Sequence, residues 1–219
     1  MTGKTRPLII HAGFHKTGTS SLQHTLRENR EALKPYCNIH LKWKIRDLVH
    51  ATRGYSTYRD PLTLAKVTRR AEDYWKAQPT FKSRSLILSA EELVGHLPGR
   101  EGVPDYRPAL DTLREIIDAA TRRFAKTDQV PDIKIVMTTR QPDTWLTSAY
   151  WEHVKSSNMT IDLEDFKSRV APVADPRPLL ADLTAALDPV PVIPLALEHW
   201  QSLPLGLAIP LLDLAEVPP

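Results

Sequence analysis

The segment GFHKTGTSS, from Gly13 to Ser21, has the residue types and the spacing of a loop that binds phosphate. Its two glycines stand five positions apart, as in the Walker A pattern G-x-x-x-x-G-K-[ST]. Thr19 occupies the position of the Walker A lysine, and Lys16 lies two residues before the second glycine instead. The pattern is open to three interpretations: an altered ATP site, an unrelated turn, or a loop for a different phosphorylated ligand.

The donor groups in this segment suit an anion. A loop between a strand and a helix N-terminus directs backbone N–H groups and the positive end of the helix dipole towards a phosphate. Thr19 and Ser20 add hydroxyl groups, and Lys16 adds a mobile charge that can follow charge developing on a transferred group. The alternative is a plain strand-to-helix turn. Because the whole chain has only eight glycines, we favour phosphate binding over that alternative.

A second candidate group follows a later strand. Arg140 comes directly after the apolar run 133–139, and no predicted strand ends in an aspartate of the kind that holds Mg²⁺ in ATP and GTP sites. A cationic strand end is unsuited to a metal ion but suits a second phosphate. The displaced lysine and the missing aspartate therefore both predict a phosphorylated ligand that is used without a metal ion.

Alternating strands and helices must position these groups. We predict strands at 7–12, 84–89 and 133–139, and helices at 19–33, 61–77, 109–124 and 142–155. Towards the C-terminus we predict a helix near 177–187, a strand near 190–195 and an apolar helix after His199. Residues 36–60 look irregular and exposed, and residues 95–108 look like a loop rich in glycine and proline.

This alternation indicates a central parallel sheet covered by helices on both faces, which is a three-layer α/β/α fold like that of P-loop nucleoside triphosphatases. The length of 219 residues fits a single α/β domain over residues 1–219. Ligands of such folds bind beyond the carboxyl ends of the strands. The 13–20 loop, the 89–92 turn and Arg140 all lie at such ends, so we expect them to form one site.

Composition sets limits on the ligand and the compartment. The formal charge of +3 and the pI of about 9.0 fit a small anionic ligand and are too weak to argue for nucleic acid. The single cysteine, Cys37, excludes an internal disulfide framework and a cysteine-rich zinc site. The N-terminal apolar run is too short for a signal peptide, and no stretch has the length of a membrane span. We therefore expect a cytoplasmic protein.

With these motifs in place, the chain resembles the sulfotransferases that use 3′-phosphoadenosine 5′-phosphosulfate (PAPS), in particular their bacterial branch. The run from Phe14 to Gln23 is similar to the family's 5′-phosphosulfate-binding loop, whose pattern is Lys-x-Gly-Thr-[Ser/Thr]. In that family a principal strand ends in an arginine that is followed by a proline and, eight residues after the arginine, by a serine. Arg140, Pro142 and Ser148 have this spacing here.

The resemblance implies a role for each matching residue. Arg140 and Ser148 would bind the 3′-phosphate of the nucleotide, and Lys16 would contact the bridging oxygen as the sulfuryl group leaves. The remaining 5′-phosphosulfate contacts would come from the loop itself, namely Phe14, His15, Thr17, Gly18, Thr19 and Ser20. The alternatives are a surface ion pair for Arg140 and a plain helix-surface hydroxyl for Ser148.

Sulfuryl transfer also needs a base, because the acceptor hydroxyl or amine loses a proton as its bond to sulfur forms. Family members use histidine or glutamate. We favour Glu91 in the turn after the second long strand, with Glu92 and His15 as the other candidates. The alternative is that both glutamates are first-turn helix acids, stabilised by the helix dipole with Ser89 as N-cap.

The sequence thus predicts a sulfotransferase that transfers a sulfuryl group from PAPS to a small-molecule, carbohydrate or lipid acceptor, without a metal ion. The family's C-terminal Arg-Lys-Gly loop is not found in this sequence. One alternative is therefore that the protein binds the 3′-phosphate less completely, and another is that it binds a nucleotide without turnover. A small-molecule kinase with an atypical loop is the other alternative. We expect residues 36–60 and 94–108 to line the acceptor pocket, and their composition does not select an acceptor.

Overall fold

A five-stranded parallel sheet forms the centre of the protein in a computed structural model that describes residues 5–78, 84–127, 129–157 and 159–218. The strands are β1 (Thr5–His11), β2 (Cys37–Leu41), β3 (Ser85–Ser89), β4 (Val130–Thr139) and β5 (Val192–Ala196). Their order across the sheet is β2-β3-β1-β4-β5, with every pairing parallel. The central β1 therefore has β3 and β4 as its two neighbours, and the segments that follow these three strands meet at one edge.

Helices connect the strands. They are α1 (Thr19–Glu28), α2 (Arg30–Leu33), α3 (Arg46–Tyr58), α4 (Pro61–Ala77), α5 (Ala109–Phe124), α6 (Pro142–Ser156), α7 (Leu163–Ala174), α8 (Arg177–Leu187), α9 (Leu197–Trp200) and α10 (Ala208–Leu214). Two short 3₁₀ turns span Lys42–Ile45 and Glu91–Val94. Local sequence explains several helix starts: Asp60, for example, accepts from the backbone N–H groups of Leu62 and Thr63, and proline follows it at the first helical position.

Helices cover the sheet on both faces because apolar residues of the strands alternate between them. Leu8 and Ile10 of β1 belong to the larger core, which packs against helices α3 to α8. Ile9 belongs to a smaller core, which packs against α1, α2 and α10. Side chains of a strand point alternately to opposite faces, so a strand that is apolar throughout must be buried on both. The predicted three-layer α/β/α fold with a parallel sheet is confirmed, while the extent of the domain over 1–219 stays a prediction.

The prediction for residues 36–60 is wrong. This segment contains β2, a 3₁₀ turn and α3, and many of its side chains are buried. Strand β2 has Cys37, Ile39 and Leu41 buried and the residues between them half-buried. In α3, contacts with α4 and with the Glu91–Val94 turn outweigh the cost of about 1 kcal/mol that Gly54 adds in mid-helix.

Among the described residues, no helix is both long enough and apolar enough to cross a membrane. The basic N-terminal residues 1–4, part of the segment considered above as a signal peptide, lie outside the described residues.

Candidate active site

The predicted phosphate loop lies between the carboxyl end of β1 and the start of α1. Its first residues continue alongside β4, since the Phe14 N–H donates to the Thr138 carbonyl at 3.1 Å. Gly18, with φ of 89°, caps α1, and a Cβ atom at this position would lie 2.7 Å from Leu197 Cδ1. Lys16 also has a positive φ, 66°, which is a strained conformation for a residue with a side chain. Such strain is typical of functional loops.

The N-terminus of α1 can bind an anion. The backbone N–H groups of a helix's first turn have no acceptors within the helix, and here the Gly18 cap brings no side-chain hydrogen bond. The first turn has no acidic residue to compete for these donors. Thr19 and Ser20 line the cleft in front of this turn. The loop therefore combines free N–H groups, hydroxyl groups and a helix dipole at one point.

Arg140 lies next to this loop, as the sequence predicts. It follows β4, the neighbour of β1, and its Nη1 donates to the Lys16 carbonyl at 3.3 Å. Its Nε donates to Thr144 Oγ1 at 3.1 Å, which orients the guanidinium from within α6. Ser148, on the same helix, is half-buried and lines the same cleft. The loop predicted to bind the 5′-phosphosulfate and the two residues predicted to bind the 3′-phosphate thus line one cleft.

That cleft has a volume of about 650 Å³ and is open to solvent. Eight of the ten residues predicted from the sequence line it: His15, Lys16, Gly18, Thr19, Ser20, Glu91, Arg140 and Ser148. Single ligands commonly occupy about 300–1,000 Å³. The cleft is therefore of the size that one such ligand occupies.

The other two predicted residues, Phe14 and Thr17, do not line the cleft. The Phe14 ring is buried in the larger core, 4.9 Å from the ring of Tyr106. Thr17 is 1% exposed, and its hydroxyl donates to the Phe14 carbonyl. Both line a second cavity of about 150 Å³ instead. The motif identifies them as members of the loop, but their side chains brace it from inside.

A buried chain of hydrogen bonds supports the loop across three strands. His11 Nδ1 is 2.7 Å from Ser89 Oγ, and His11 Nε2 is 3.4 Å from Thr138 Oγ1. Thr138 Oγ1 is in turn 2.7 Å from Thr17 Oγ1. Because the Thr17 proton goes to a carbonyl, the Thr138 hydroxyl donates to Thr17, and His11 donates through Nε2 and accepts through Nδ1. Burial lowers the pKa of His11 to about 3, so the ring is neutral, as this arrangement requires.

His15 is held by two aromatic residues. The Tyr106 hydroxyl lies 3.2 Å from the His15 backbone nitrogen and 3.1 Å from His15 Nδ1, and Trp145 Nε1 donates to the His15 carbonyl at 2.8 Å. Among the described residues the Tyr106 hydroxyl has no other partner, so it accepts from the backbone N–H and donates to Nδ1. The proton of His15 is then on Nε2. Burial lowers the pKa of His15 to about 3, with further lowering by the neighbouring His96 and by nearby arginine and lysine side chains.

Lys16 forms an ion pair that the sequence did not predict. Its Nζ lies 2.9 Å from Glu152 Oε2 on α6, and both side chains are about one third exposed. The hydrogen bond from Lys16 lowers the pKa of Glu152. Glu152 lines the same cleft and is one turn beyond Ser148 on the helix. A ligand anion that recruits Lys16 must therefore compete with this carboxylate.

Glu91 and Glu92 follow β3 in the 3₁₀ turn and both line the cleft. Burial raises the pKa of Glu91, and the neighbouring Glu92 raises it further, while Gln23 donates to Glu91 Oε2 at 2.9 Å. Glu92 is more deeply buried and forms an ion pair with Lys42. The alternative in which Ser89 caps a helix is wrong, because Ala90 is the N-cap residue and the Ser89 hydroxyl is bonded to His11.

Further cleft residues, four of them polar, come from the two segments expected to line an acceptor pocket. Lys42 and Arg53 belong to 36–60, and His96 and Arg100 belong to 94–108. Both segments therefore reach the cleft, although the first does so as a 3₁₀ turn and a helix. Over the part of the chain that the structure describes, no group of three or more His, Cys, Asp or Glu side chains could hold a metal ion. Independence from metal stays a prediction.

The parallel sheet and the phosphate-type loop beyond its central strand define a P-loop-like α/β protein. A family model described as a sulfotransferase domain matches residues 8–178. The protein belongs to this sulfotransferase domain family. It is similar in fold to a crystal structure of a sulfotransferase from Alicyclobacillus acidocaldarius, with a TM-score of 0.57, 15% sequence identity, and coverage of 97% of this chain and 82% of that chain. A search of curated proteins found no match.

Proposed function

We propose that this protein transfers a sulfuryl group from PAPS to a hydroxyl or amine of a small acceptor. The observation that carries the proposal is the hydrogen bond of 3.3 Å between Arg140 Nη1 and the Lys16 carbonyl. It joins the cation at the end of β4 to the loop at the end of β1, so one ligand with two separated anionic groups can contact both. PAPS has a 5′-phosphosulfate and a 3′-phosphate, whereas ATP has all its charge at one end.

The loop and Arg140 have complementary tasks in this proposal. The free N–H groups at the start of α1, with Thr19 and Ser20, bind the 5′-phosphosulfate. Arg140 and Ser148 bind the 3′-phosphate, for which a guanidinium offers a two-pronged hydrogen bond. The side chains of Phe14 and Thr17 are assigned no ligand contact. They hold the loop in shape from the core side.

Lys16 acts on the leaving group. As the bond between sulfur and the bridging oxygen breaks, that oxygen stays with adenosine 3′,5′-bisphosphate and gains negative charge, which a positioned ammonium group stabilises. The ion pair with Glu152 keeps Lys16 at the mouth of the cleft before a donor binds. In the transfer step Lys16 exchanges this carboxylate for the oxygen that becomes anionic.

Glu91 is the base in this mechanism. It takes the acceptor proton while the acceptor oxygen or nitrogen forms its bond to sulfur. Its raised pKa makes it a stronger base than an ordinary carboxylate, and it lines the cleft. His15 is a poorer candidate because its Nδ1 is occupied by Tyr106 and its pKa is about 3. With its proton on Nε2, His15 is suited to donate a hydrogen bond to an anion.

Thermal-shift measurements with three nucleotides test the donor. We expect adenosine 3′,5′-bisphosphate to raise the Tm clearly, and adenosine 5′-phosphate to raise it less because only one of the two anionic sites is filled. Equal Tm shifts for these two nucleotides would show that the protein has no site for the 3′-phosphate. ATP with Mg²⁺ serves as the control: a larger shift with ATP, lost on chelation, would favour a kinase. Stabilisation by the bisphosphate without transfer to any acceptor would favour a binding protein without turnover.

A further inference from the structure

The cleft contains cationic groups to which the proposed function assigns no role. Five cations line it, Lys16, Lys42, Arg53, Arg100 and Arg140, together with three glutamates. Two of the glutamates are paired with the two lysines. Among the described residues, none of the three arginines forms an ion pair with a carboxylate. Since the proposed function uses Arg140 for the donor, Arg53 and Arg100 remain without an assigned partner.

These two arginines meet at His96. Arg53 Nε lies 3.3 Å from both ring nitrogens of His96, and Arg100 Nη1 lies 3.4 Å from His96 Nδ1. Burial lowers the pKa of His96 to about 4, and the two guanidinium groups lower it further. The imidazole between them is therefore neutral, and the cluster keeps its two positive charges with no carboxylate bound to either.

The cluster is held in place before any ligand binds. Ser56, one turn after Arg53 on α3, accepts a hydrogen bond of 3.0 Å from the His96 backbone N–H. Gly95 packs so closely on Ser56 that a Cβ atom there would lie 2.3 Å from the Ser56 Cβ. The helix and the 94–108 loop thus form one unit at this point. A preformed pair of like charges without counter-ions is costly unless an anion neutralises it.

Arg100 also has an unused donor. Its Nε is buried, and no group among the described residues accepts a hydrogen bond from it. Burial lowers the pKa of Arg100, the nearby Arg53 lowers it further, and Glu152 raises it. A buried N–H without a partner destabilises the protein, and more so when the group is charged. An oxyanion that accepts from Arg100 would remove this cost.

We propose that Arg53 and Arg100 bind an anionic group of the acceptor, so that the acceptor is an acidic molecule in which a carboxylate, sulfate or phosphate lies near the reacting hydroxyl or amine. This inference rests on the proposed function, because it assigns the donor to the loop and Arg140. The cluster acts electrostatically on His15 and shares the cleft with Glu91. An acceptor anchored there by its anion would present its neighbouring hydroxyl to Glu91.

The test titrates inorganic sulfate and acetate into the preformed complex of the protein with adenosine 3′,5′-bisphosphate, followed by calorimetry. The nucleotide fills both phosphate positions but carries no sulfuryl group, so that position beside the loop stays open to an added anion, and the arginine variants decide whether an anion that binds occupies the cluster. We expect at least one of the two anions to bind, and we expect Arg100→Gln to weaken its binding about tenfold or more. Arg53→Gln should act in the same direction, and both variants should keep their affinity for the nucleotide within about threefold.

Two further variants serve as controls. Arg69→Gln removes an exposed arginine of α4 that does not line the cleft, and it should change nothing. Arg100→Lys keeps the charge, and its anion affinity should lie between those of wild type and Arg100→Gln. If Arg100→Gln does not fold, Arg53→Gln and Arg100→Lys provide the comparison. A transfer assay with D-glucuronate and D-glucose adds an activity readout: a preference for the charged sugar that disappears in Arg53→Gln supports the proposal.

Three results would overturn the inference. The first is that neither anion binds the nucleotide complex. The second is that the glutamine variants bind the anion as well as wild type does. The third is that these variants lose nucleotide affinity as strongly as anion affinity. The last result would assign the cluster to the donor. If the wild-type protein does not bind adenosine 3′,5′-bisphosphate at all, the proposed function has failed, and the acceptor inference falls with it. Nucleotide affinity is measured first, so the two failures are distinguishable.

Discussion

Replacing Lys16 with alanine separates the two tasks that a loop lysine can have, binding and catalysis. Before the donor binds, Lys16 Nζ is 2.9 Å from Glu152, and both side chains are about one third exposed. An ion pair of this exposure contributes about 0–1 kcal/mol to the free energy of unfolding. In the transfer step, a positioned donor to a developing negative charge contributes about 2.7–4 kcal/mol, or about 10²–10³ in kcat.

Lys16→Ala should therefore lower kcat about 100- to 1,000-fold. It should change the free energy of unfolding by less than about 1 kcal/mol, and the Kd for adenosine 3′,5′-bisphosphate by less than about tenfold. Glu152→Gln is the matched control, because it breaks the same ion pair and leaves the lysine in place. That variant should keep its turnover and bind the donor up to about fivefold more tightly, since the carboxylate no longer competes.

Turnover is measured by release of adenosine 3′,5′-bisphosphate under saturating donor, and affinity by calorimetry with the same product nucleotide. The reasoning is refuted if kcat and nucleotide affinity fall in equal proportion in Lys16→Ala, since the lysine would then only bind. It is also refuted if Glu152→Gln loses as much turnover as Lys16→Ala, since the ion pair itself would then be the active feature.

Three other predictions follow from the site and the fold. Arg140→Ala should weaken binding of adenosine 3′,5′-bisphosphate about tenfold or more and leave adenosine 5′-phosphate nearly unaffected; unchanged calorimetric affinity would remove this residue from the site. Glu91→Gln should lower kcat about 10²-fold or more and raise the Tm above that of wild type at neutral pH. The raised pKa of Glu91 sets the direction of this change in Tm. The contribution of Glu91 to the stability of wild type is present below the ordinary glutamate pKa and is lost as the pH rises through the raised value. The Tm advantage of the variant should therefore vanish in acid. Gly13→Ala should destabilise the fold by about 1–3 kcal/mol in denaturant titrations, because the new Cβ would lie 2.3 Å from Thr138 Oγ1. Gly54→Ala should stabilise the fold by about 0.5–1 kcal/mol, because nothing lies within 4 Å of a Cβ at that position. Similar effects of the two substitutions would contradict this account.

Much of the fold could be predicted because the local signals agree with the tertiary structure. Proline marks the first residue of α4 and α6, and apolar residues recur at helical spacing along α5. Residues 36–60 gave conflicting signals. Gly54 and the charged run around Trp43 suggest an irregular segment, whereas packing of Leu48 and Tyr55 in the larger core requires a helix. Burial that depends on a distant partner cannot be derived from a local pattern.

The sequence predicts only those site residues that lie at or next to strand ends. Parallel strands place their carboxyl ends on one edge, so the 13–20 loop, Glu91 and Arg140 were expected together. Five residues of the loop, Glu91 and Arg140 line the cleft. The sequence did not predict Glu152 or the contacts of His15 with Tyr106, because those pairs are separated by 136 and 91 residues. Which loop residues face inward was also out of reach. Thr17 and Thr19 have identical chemistry, and only the path of the backbone decides that one braces the loop and the other lines the cleft.

The hydrogen bonds that run from Ser89 through His11 and Thr138 to Thr17 use every proton of this series. Each member donates to the next one, and the Thr17 hydroxyl donates to the Phe14 carbonyl. Shortening the series at Ser89, two positions before Glu91, would therefore propagate to the turn around Lys16 on the other side of β1. The strand end that leads to Glu91 and the loop that contains Lys16 are thus connected by buried hydrogen bonds, and a substitution within this series affects both.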